Sequence, residues 1–340
     1  MHIDITHASV FDPVRRINFV QDWIQRSRTL PLTLHIVDHG VGGSEEGLKG
    51  VIDVINQCSD RWHSLSLDIP FELLRTFHRN NFQFCPLKKL RLTARERPLN
   101  DINLSVPLLD STVSPEEIEL CGIPFQSLQI SWNQLTSATI KDFDLEEVAQ
   151  LLRQASHMVH CRIFSLSDYR ISASPMPPII HQRLKTLSLC YRREDAARLL
   201  LDSLTLPYLQ EFHTTKIVPL KYLPALVHRS SCPLTRITFE LTSEGRWHEE
   251  GLFFHDLQPL PGVTDLVVEN VEGVPQVAAI KKLLLEEYFP DLRHLILRLE
   301  AFLFFWDEDV ISETTASRRC CQRETVQNSC HRPASSSRVQ

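Results

Sequence analysis

One short phrase recurs along this chain: an apolar residue, two residues of any kind, an apolar residue, one of any kind, and an apolar residue. It stands at Trp62-x-x-Leu65-x-Leu67, Leu87-x-x-Leu90-x-Leu92, Leu135-x-x-Ala138-x-Ile140 and Cys161-x-x-Phe164-x-Leu166. It returns at Leu184-x-x-Leu187-x-Leu189, Leu209-x-x-Phe212, Leu234-x-x-Ile237-x-Phe239, Val263-x-x-Leu266-x-Val268 and Leu292-x-x-Leu295-x-Leu297. Weaker copies are Pro31-x-x-Leu34-x-Ile36 and Pro115-x-x-Ile118-x-Leu120. Successive copies start about 20 to 31 residues apart, a range that brackets the leucine-rich-repeat period. The last two apolar positions are two residues apart and share one face of a short strand. A single copy has too little apolar surface to stand alone, so the copies must stack to bury a continuous core.

The return path between strands reads as helix. Leu145, Val148, Ala149 and Leu152 form an i, i+3, i+4, i+7 stripe, with Asp144 as N-cap and Glu147 three residues on. Glu194 to Leu204 and Val277 to Tyr288 read the same way, Tyr222 to Arg229 is a shorter candidate, and Val14 to Gln25 and Leu48 to Cys58 are helices near the N-terminus. Strand, helix, strand at this spacing implies parallel pairing through right-handed crossovers. The predicted fold is therefore α/β: an irregular leucine-rich-repeat-like solenoid over 1–309, with a curved parallel sheet and helices on the outer face. From about Asp309 the apolar periodicity stops. The stretch Ser312 to Gln340 has almost no aliphatic residues, and 310–340 is expected to be a disordered tail.

Several function classes are disfavoured by bulk properties. A net charge of −6 argues against a general nucleic-acid binder. The most apolar stretch, Leu295 to Trp306, is too short for a membrane span and carries Arg298 and Glu300. Residues 1–10 lack the basic and apolar regions of a signal peptide. The 9 cysteines contain no Cys-x-x-Cys pair, and Cys85, Cys161 and Cys190 lie beside apolar runs, so buried free thiols in the cytoplasm or nucleus are expected.

The order of several stretches resembles the F-box and leucine-rich-repeat-like proteins of mushroom-forming fungi. They are Asp12-Pro13-Val14-Arg15-Arg16 through Trp23-Ile24-Gln25-Arg26-Ser27, Pro31-Leu32-Thr33-Leu34, and Arg61-Trp62-His63-Ser64-Leu65-Ser66-Leu67. Ile130-Ser131-Trp132-Asn133-Gln134-Leu135-Thr136, Val148 to Cys161, and Ser230-Ser231-Cys232-Pro233-Leu234 complete the set. The resemblance runs over about residues 10 to 300. It implies a substrate receptor whose N-terminal F-box docks to an SCF-type ubiquitin ligase. No F-box helices are read before Val14, so the expectation is a member without the docking part, or a truncated or non-functional one. The Asn of ordinary leucine-rich repeats is also replaced, by Pro70, Arg95, Arg192 and Thr242 among others. Each turn must then satisfy its backbone in another way.

Other groupings do not assemble into chemistry. In Gly40-Val41-Gly42-Gly43-Ser44-Glu45-Glu46-Gly47-Leu48-Lys49, Leu48 stands where a P-loop needs Lys, and two carboxylates would repel phosphate. His248-Glu249-Glu250-Gly251-Leu252 starts like a zinc-protease helix, but Leu252 replaces the second His and His255 is out of register. Cys320, Cys321, Cys330 and His331 lie in the tail with nothing to pack on. His63, His213 and His294 sit near strands, and no triad follows from spacing. Arg15-Arg16 and Arg318-Arg319 are too short for nucleic-acid patches. No cofactor, catalytic residue or metal ligand is expected.

The candidate site is the open face of the solenoid. Strand residues between the apolar ones point away from the core and line a concave surface. By register these are Lys89, Arg91, Glu117, Glu119, Ser137, Thr139, Lys141, Thr186 and Ser188. They continue as Glu211, His213, Arg236, Thr238, Glu240, Asp265, Glu269, His294 and Arg298. Charge signs alternate along the stack, with Ser and Thr between. The expected function is binding of a protein partner, with neither nucleic acid nor membrane involved.

Overall fold

The structure, a computed structural model, describes residues 2–7, 13–38, 45–77, 87–95, 113–166, 176–191, 194–215, 219–240, 258–271 and 288–299. The chain divides into two compact units, Met1–Tyr208 and Leu209–Gln340. The first contains strands β1 (His2–His7), β2 (Leu32–Asp38), β3 (Trp62–Pro70), β4 (Lys89–Arg95), β5 (Glu117–Cys121), β6 (Ser137–Lys141), β7 (His160–Leu166) and β9 (Thr186–Tyr191), parallel and in sequence order. A separate pair joins β8 (Ile179–Ile180) to β10 (Leu204–Thr205). Its helices are α1 (Pro13–Arg26), α2 (Glu45–Asn56), α3 (Phe71–Leu74), α4 (Leu145–Gln154) and α5 (Glu194–Ser203). The second unit has β11 (Glu211–Thr214), α6 (Pro219–Ser230), β12 (Arg236–Glu240), β13 (Asp265–Val271) and β14 (His294–Leu299), again parallel in chain order. Each unit is thus an α/β parallel stack of the solenoid type that the phrase predicts.

The phrase builds the core directly. In the first unit Leu34, Leu65, Leu90, Ile118, Ala138, Cys161 and Leu187 form one registered column. Ile36, Leu67, Leu92, Leu120, Ile140, Ile163 and Leu189 form the next. All are buried. Each large aliphatic in these columns contributes about 1.5–3 kcal/mol by leaving water. In the second unit Phe212, Ile237, Leu266 and Leu295 align, as do Thr214, Phe239, Val268 and Leu297.

Two copies of the phrase are offset from their expected places. On β7 the register runs through Cys161 and Ile163, with Met158 fully buried as the first apolar residue. The copy is Met158-x-x-Cys161-x-Ile163, not Cys161-x-x-Phe164-x-Leu166. Phe164 therefore stands opposite Lys141 on the outward face, and a register shift returns Leu166 to the interior. On β2 the leading apolar position is filled by buried Leu32, while Pro31 is exposed. An irregularity between Leu32 and Thr33 absorbs the extra step.

The missing Asn is replaced by two repeated backbone devices. At strand entry, one carbonyl accepts two successive amides from the next repeat. Lys88 O takes Glu116 N and Glu117 N, Thr136 O takes Val159 N and His160 N, and Thr264 O takes Arg293 N and His294 N, all at 2.8–3.0 Å. Thr136 Oγ1 also donates to Glu116 O at 3.0 Å. At strand exit, Gly122, Asp142 and Ser165 follow the registered trio Cys121, Lys141 and Phe164, and all three are left-handed, with φ of 68, 61 and 58°. Gly122 N donates to Lys141 O and Asp142 N to Phe164 O. Gly tolerates this conformation freely, and Asp better than most other residues.

Helices are held to the strands by specific clamps. α4 carries the predicted capping box: Glu147 N donates to Asp144 Oδ1, and Asp144 N to Glu147 Oε2. Glu147 is buried and its Oε1 also accepts Phe125 N at 2.9 Å, tying the preceding connection to the helix start. Arg61, just before β3, donates to Ile24 O, Leu30 O and Ser27 Oγ, which satisfies the carbonyl end of α1. α1 and α2 approach closely at Gly50, where a Cβ would stand 2.5 Å from Ile17 Cδ1. Glu45, Glu46 and Gly47 belong to α2. α6 is longer than expected and takes Pro224 inside it. β1 was not foreseen from the sequence. The predicted helix 277–288, apart from Tyr288, and the tail 310–340 lie outside the described residues.

Candidate functional site

Alternation along each strand turns the residues between the core positions to the opposite face. In the first unit the register aligns Thr33, Ser64, Lys89, Glu117, Ser137, His160 and Thr186 in one row, and His35, Ser66, Arg91, Glu119, Thr139, Arg162 and Ser188 in the next. A shorter row holds Val37, Asp68, Thr93, Cys121, Lys141 and Phe164. Of the predicted residues, Lys89, Arg91, Glu117 and Lys141 are exposed, and Glu119, Thr139 and Thr186 half-buried. Ser188 is in register but buried, so it is not part of an open surface.

The charges on this face are organised into pairs. Lys89 Nζ lies 2.8 Å from Glu117 Oε2, and Arg91 Nη2 lies 3.3 Å from Glu119 Oε1. Lys88 and Glu116, one step ahead of the strands, repeat the arrangement at 2.9 Å. β4 thus supplies a basic stripe and β5 an acidic one, and the two neutralise each other. Exposed pairs of this kind add little stability, about 0–1 kcal/mol each. They orient the side chains in rows.

The second unit carries its own polar face. Arg236 sits between Glu211 at 3.7 Å and Asp265 at 3.9 Å, and His294 Nδ1 lies 3.1 Å from Asp265 Oδ1. Thr264 Oγ1 donates to Asp265 Oδ2 at 2.6 Å. Arg298 pairs with Glu269, and His213 Nε2 lies 4.0 Å from Glu240 Oε2. Thr238 stands in register beside His213. Every predicted residue of this unit therefore lies on registered strands of one sheet.

The expected face left out Thr33, His35, Ser64, Ser66, Asp68, Thr93 and Cys121 on β2 to β5, and His160, Arg162 and Phe164 on β7. The misplaced phrase on β7 hid the last three, because it assigned Phe164 to the core. The signal was present in the sequence, since Met158-x-x-Cys161-x-Ile163 fits the same phrase three residues earlier and keeps the spacing to Leu135 and Leu184. His160 Nδ1 lies 3.2 Å from Thr186 Oγ1. The Arg162 guanidinium lies 5.9 Å from the centre of the Phe164 ring.

Among the described residues, no group of three or more His, Cys, Asp and Glu could hold a metal ion. Lys49 and Gly47 lie on α2, Lys49 exposed and Gly47 buried. Residues 40–44 of that loop, His248 to Leu252, His255, and the tail residues Cys320, Cys321, Cys330 and His331 fall outside the described residues, as does Cys85. Cys58, Cys121, Cys161, Cys190 and Cys232 are free thiols. Burial pushes Cys58 up to about 11 and Cys161 to about 12, which keeps both protonated and unreactive. Among the described residues, no helix is long and apolar enough to cross a membrane.

No protein-family model matches the chain, and no curated protein matches it.

Proposed function

We propose that this chain is a non-catalytic protein-binding module that holds a partner against the polar faces of its parallel strands. The observation that supports it is the registered rows of outward polar side chains, from Lys89 to Thr186 in one unit and from Glu211 to His294 in the other. Rows of side chains at a strand spacing of about 4.8 Å give a partner a ruled surface for hydrogen bonds and charge pairs. The resemblance to fungal F-box and leucine-rich-repeat-like proteins extends the reading. The bound partner is then a substrate for an SCF-type ubiquitin ligase. The free thiols support residence in a reducing compartment, the cytoplasm or nucleus.

The test is affinity capture from cells with the full chain and with a variant reversed at Lys89, Arg91 and Arg236. A specific partner recovered by the native chain and lost by the variant supports the proposal. Recovery of the same proteins by both chains refutes it. Ubiquitin-ligase subunits among the recovered proteins support the ligase role, and their absence from a reproducible set argues against it.

A further inference from the structure

We propose that β6, β7 and β9 form a patch, centred on Arg162, that takes an acidic extended segment of a protein partner. It rests on the protein-binding reading above and specifies the partner's chemistry. The outward positions of these three strands are Ser137, Thr139 and Lys141, then His160, Arg162 and Phe164, then Thr186, with Ser188 in register but buried. Three bear cations or a protonatable ring, and none is acidic. This is the opposite of β4 and β5, where Lys89 and Arg91 each have a carboxylate beside them. The acids of β5, Glu117 and Glu119, are engaged by Lys89 and Arg91. Asp142 lies beyond the end of β6, at the left-handed exit.

Arg162 is exposed, and its register neighbours are Thr139 and Ser188, which bring no charge. Its guanidinium lies over the Phe164 ring, 5.9 Å from the ring centre, a weak cation–π contact that favours one orientation of the planar fork. A carboxylate matches that fork with two parallel hydrogen bonds. Lys141 lies one strand over and two residues along, about 8 Å away from strand spacing and rise. Alternate side chains on an extended peptide are about 6.8 Å apart, so acids at positions i and i+2 reach both cations. Two cations and one imidazole on a chain of net charge −6 are too few to attract a polyphosphate backbone, which favours a peptide over nucleic acid.

The probe is a fluorescein-labelled peptide of alternating Glu and Ser, compared with its Gln and Ser counterpart, by anisotropy against the full chain. The Glu peptide is expected to bind and the Gln peptide not. Arg162→Gln weakens binding about tenfold, Lys141→Gln less, and Arg198→Gln on exposed α5 leaves it unchanged. Inorganic phosphate at equal charge fails to displace the peptide. Equal binding of the two peptides, or of the native chain and Arg162→Gln at matched melting temperature, overturns the inference. That failure is distinct from failure of the wider reading, which is tested by partner capture with the Lys89, Arg91 and Arg236 variant.

Discussion

Lys89 and Glu117 face each other from β4 and β5, with Nζ 2.8 Å from Oε2 and both side chains half exposed to water. Such a pair is built for orientation more than for stability. A double-mutant cycle with Lys89→Ala and Glu117→Ala is expected to give a coupling of about 0.2–1 kcal/mol. Urea unfolding measures it. In about 1 M salt, where the screening length is roughly 3 Å, the coupling falls further. A coupling above about 2 kcal/mol would mean that the rows are structural struts and not a presented surface.

Glu147 closes two connections at once, accepting from Asp144 N and from Phe125 N. Removing it leaves a buried amide without an acceptor and opens the capping box. Glu147→Ala is expected to cost about 2 kcal/mol, and Glu147→Gln less, because one amide oxygen still accepts. Equilibrium unfolding of the two variants gives the comparison, and equal costs would contradict the double role.

Gly122 occupies the left-handed exit of β5, with φ of 68°. A Cβ there would stand 2.8 Å from Ala94 O, a backbone atom that has no room to withdraw. Gly122→Ala is expected to destabilise by about 1–3 kcal/mol. The equivalent Asp142→Gly change relieves strain at the next repeat and costs less than Gly122→Ala. Melting temperatures of the two variants decide it.

The repeat phrase made the strands, the core columns and most of the polar face legible in advance. Alternation is local, so Leu90 and Leu92 identify Lys89 and Arg91 as outward without knowledge of any neighbour. β1 was not legible, the phrase on β2 was offset by one residue, and on β7 two overlapping phrases compete, where Phe164 is as good an apolar anchor as Ile163. The choice is made by packing, since Met158 fits the buried leading position and Ser165 adopts the left-handed turn that brings Leu166 back inside. Pairing of Lys89 with Glu117 needed the register between β4 and β5, which depends on the length of the intervening connection. Likewise the exits at Gly122, Asp142 and Ser165 share a conformation but no residue type, so no sequence pattern marks them.

His181 is buried, and its ring is used on both sides. Nε2 donates to Ala155 O at 2.9 Å, and Nδ1 accepts from Leu184 N at 3.1 Å and more weakly from Arg183 N. Burial lowers its pKa below the ordinary 6.5, against a smaller opposing effect of the bond to Ala155. The unfolded chain therefore binds the proton more readily than the folded one. Its contribution to stability is complete above about pH 6.5 and is lost as pH falls toward the folded pKa. Melting temperature followed from pH 8 to pH 5, as round values spanning the titration range of His, should fall more steeply for the native chain than for His181→Gln. Parallel curves would show that His181 does not titrate between the two states.

The most direct test of the binding account is a photo-crosslinking map in cells. A photoreactive residue is placed in turn at Ser66, Thr93 and Thr139 on the sheet face, and at Asp53 and Arg198 on exposed helical positions. The account predicts a common crosslinked partner from the three strand positions and none from the helices. Crosslinks confined to Asp53 and Arg198, with the strand positions silent, would contradict it.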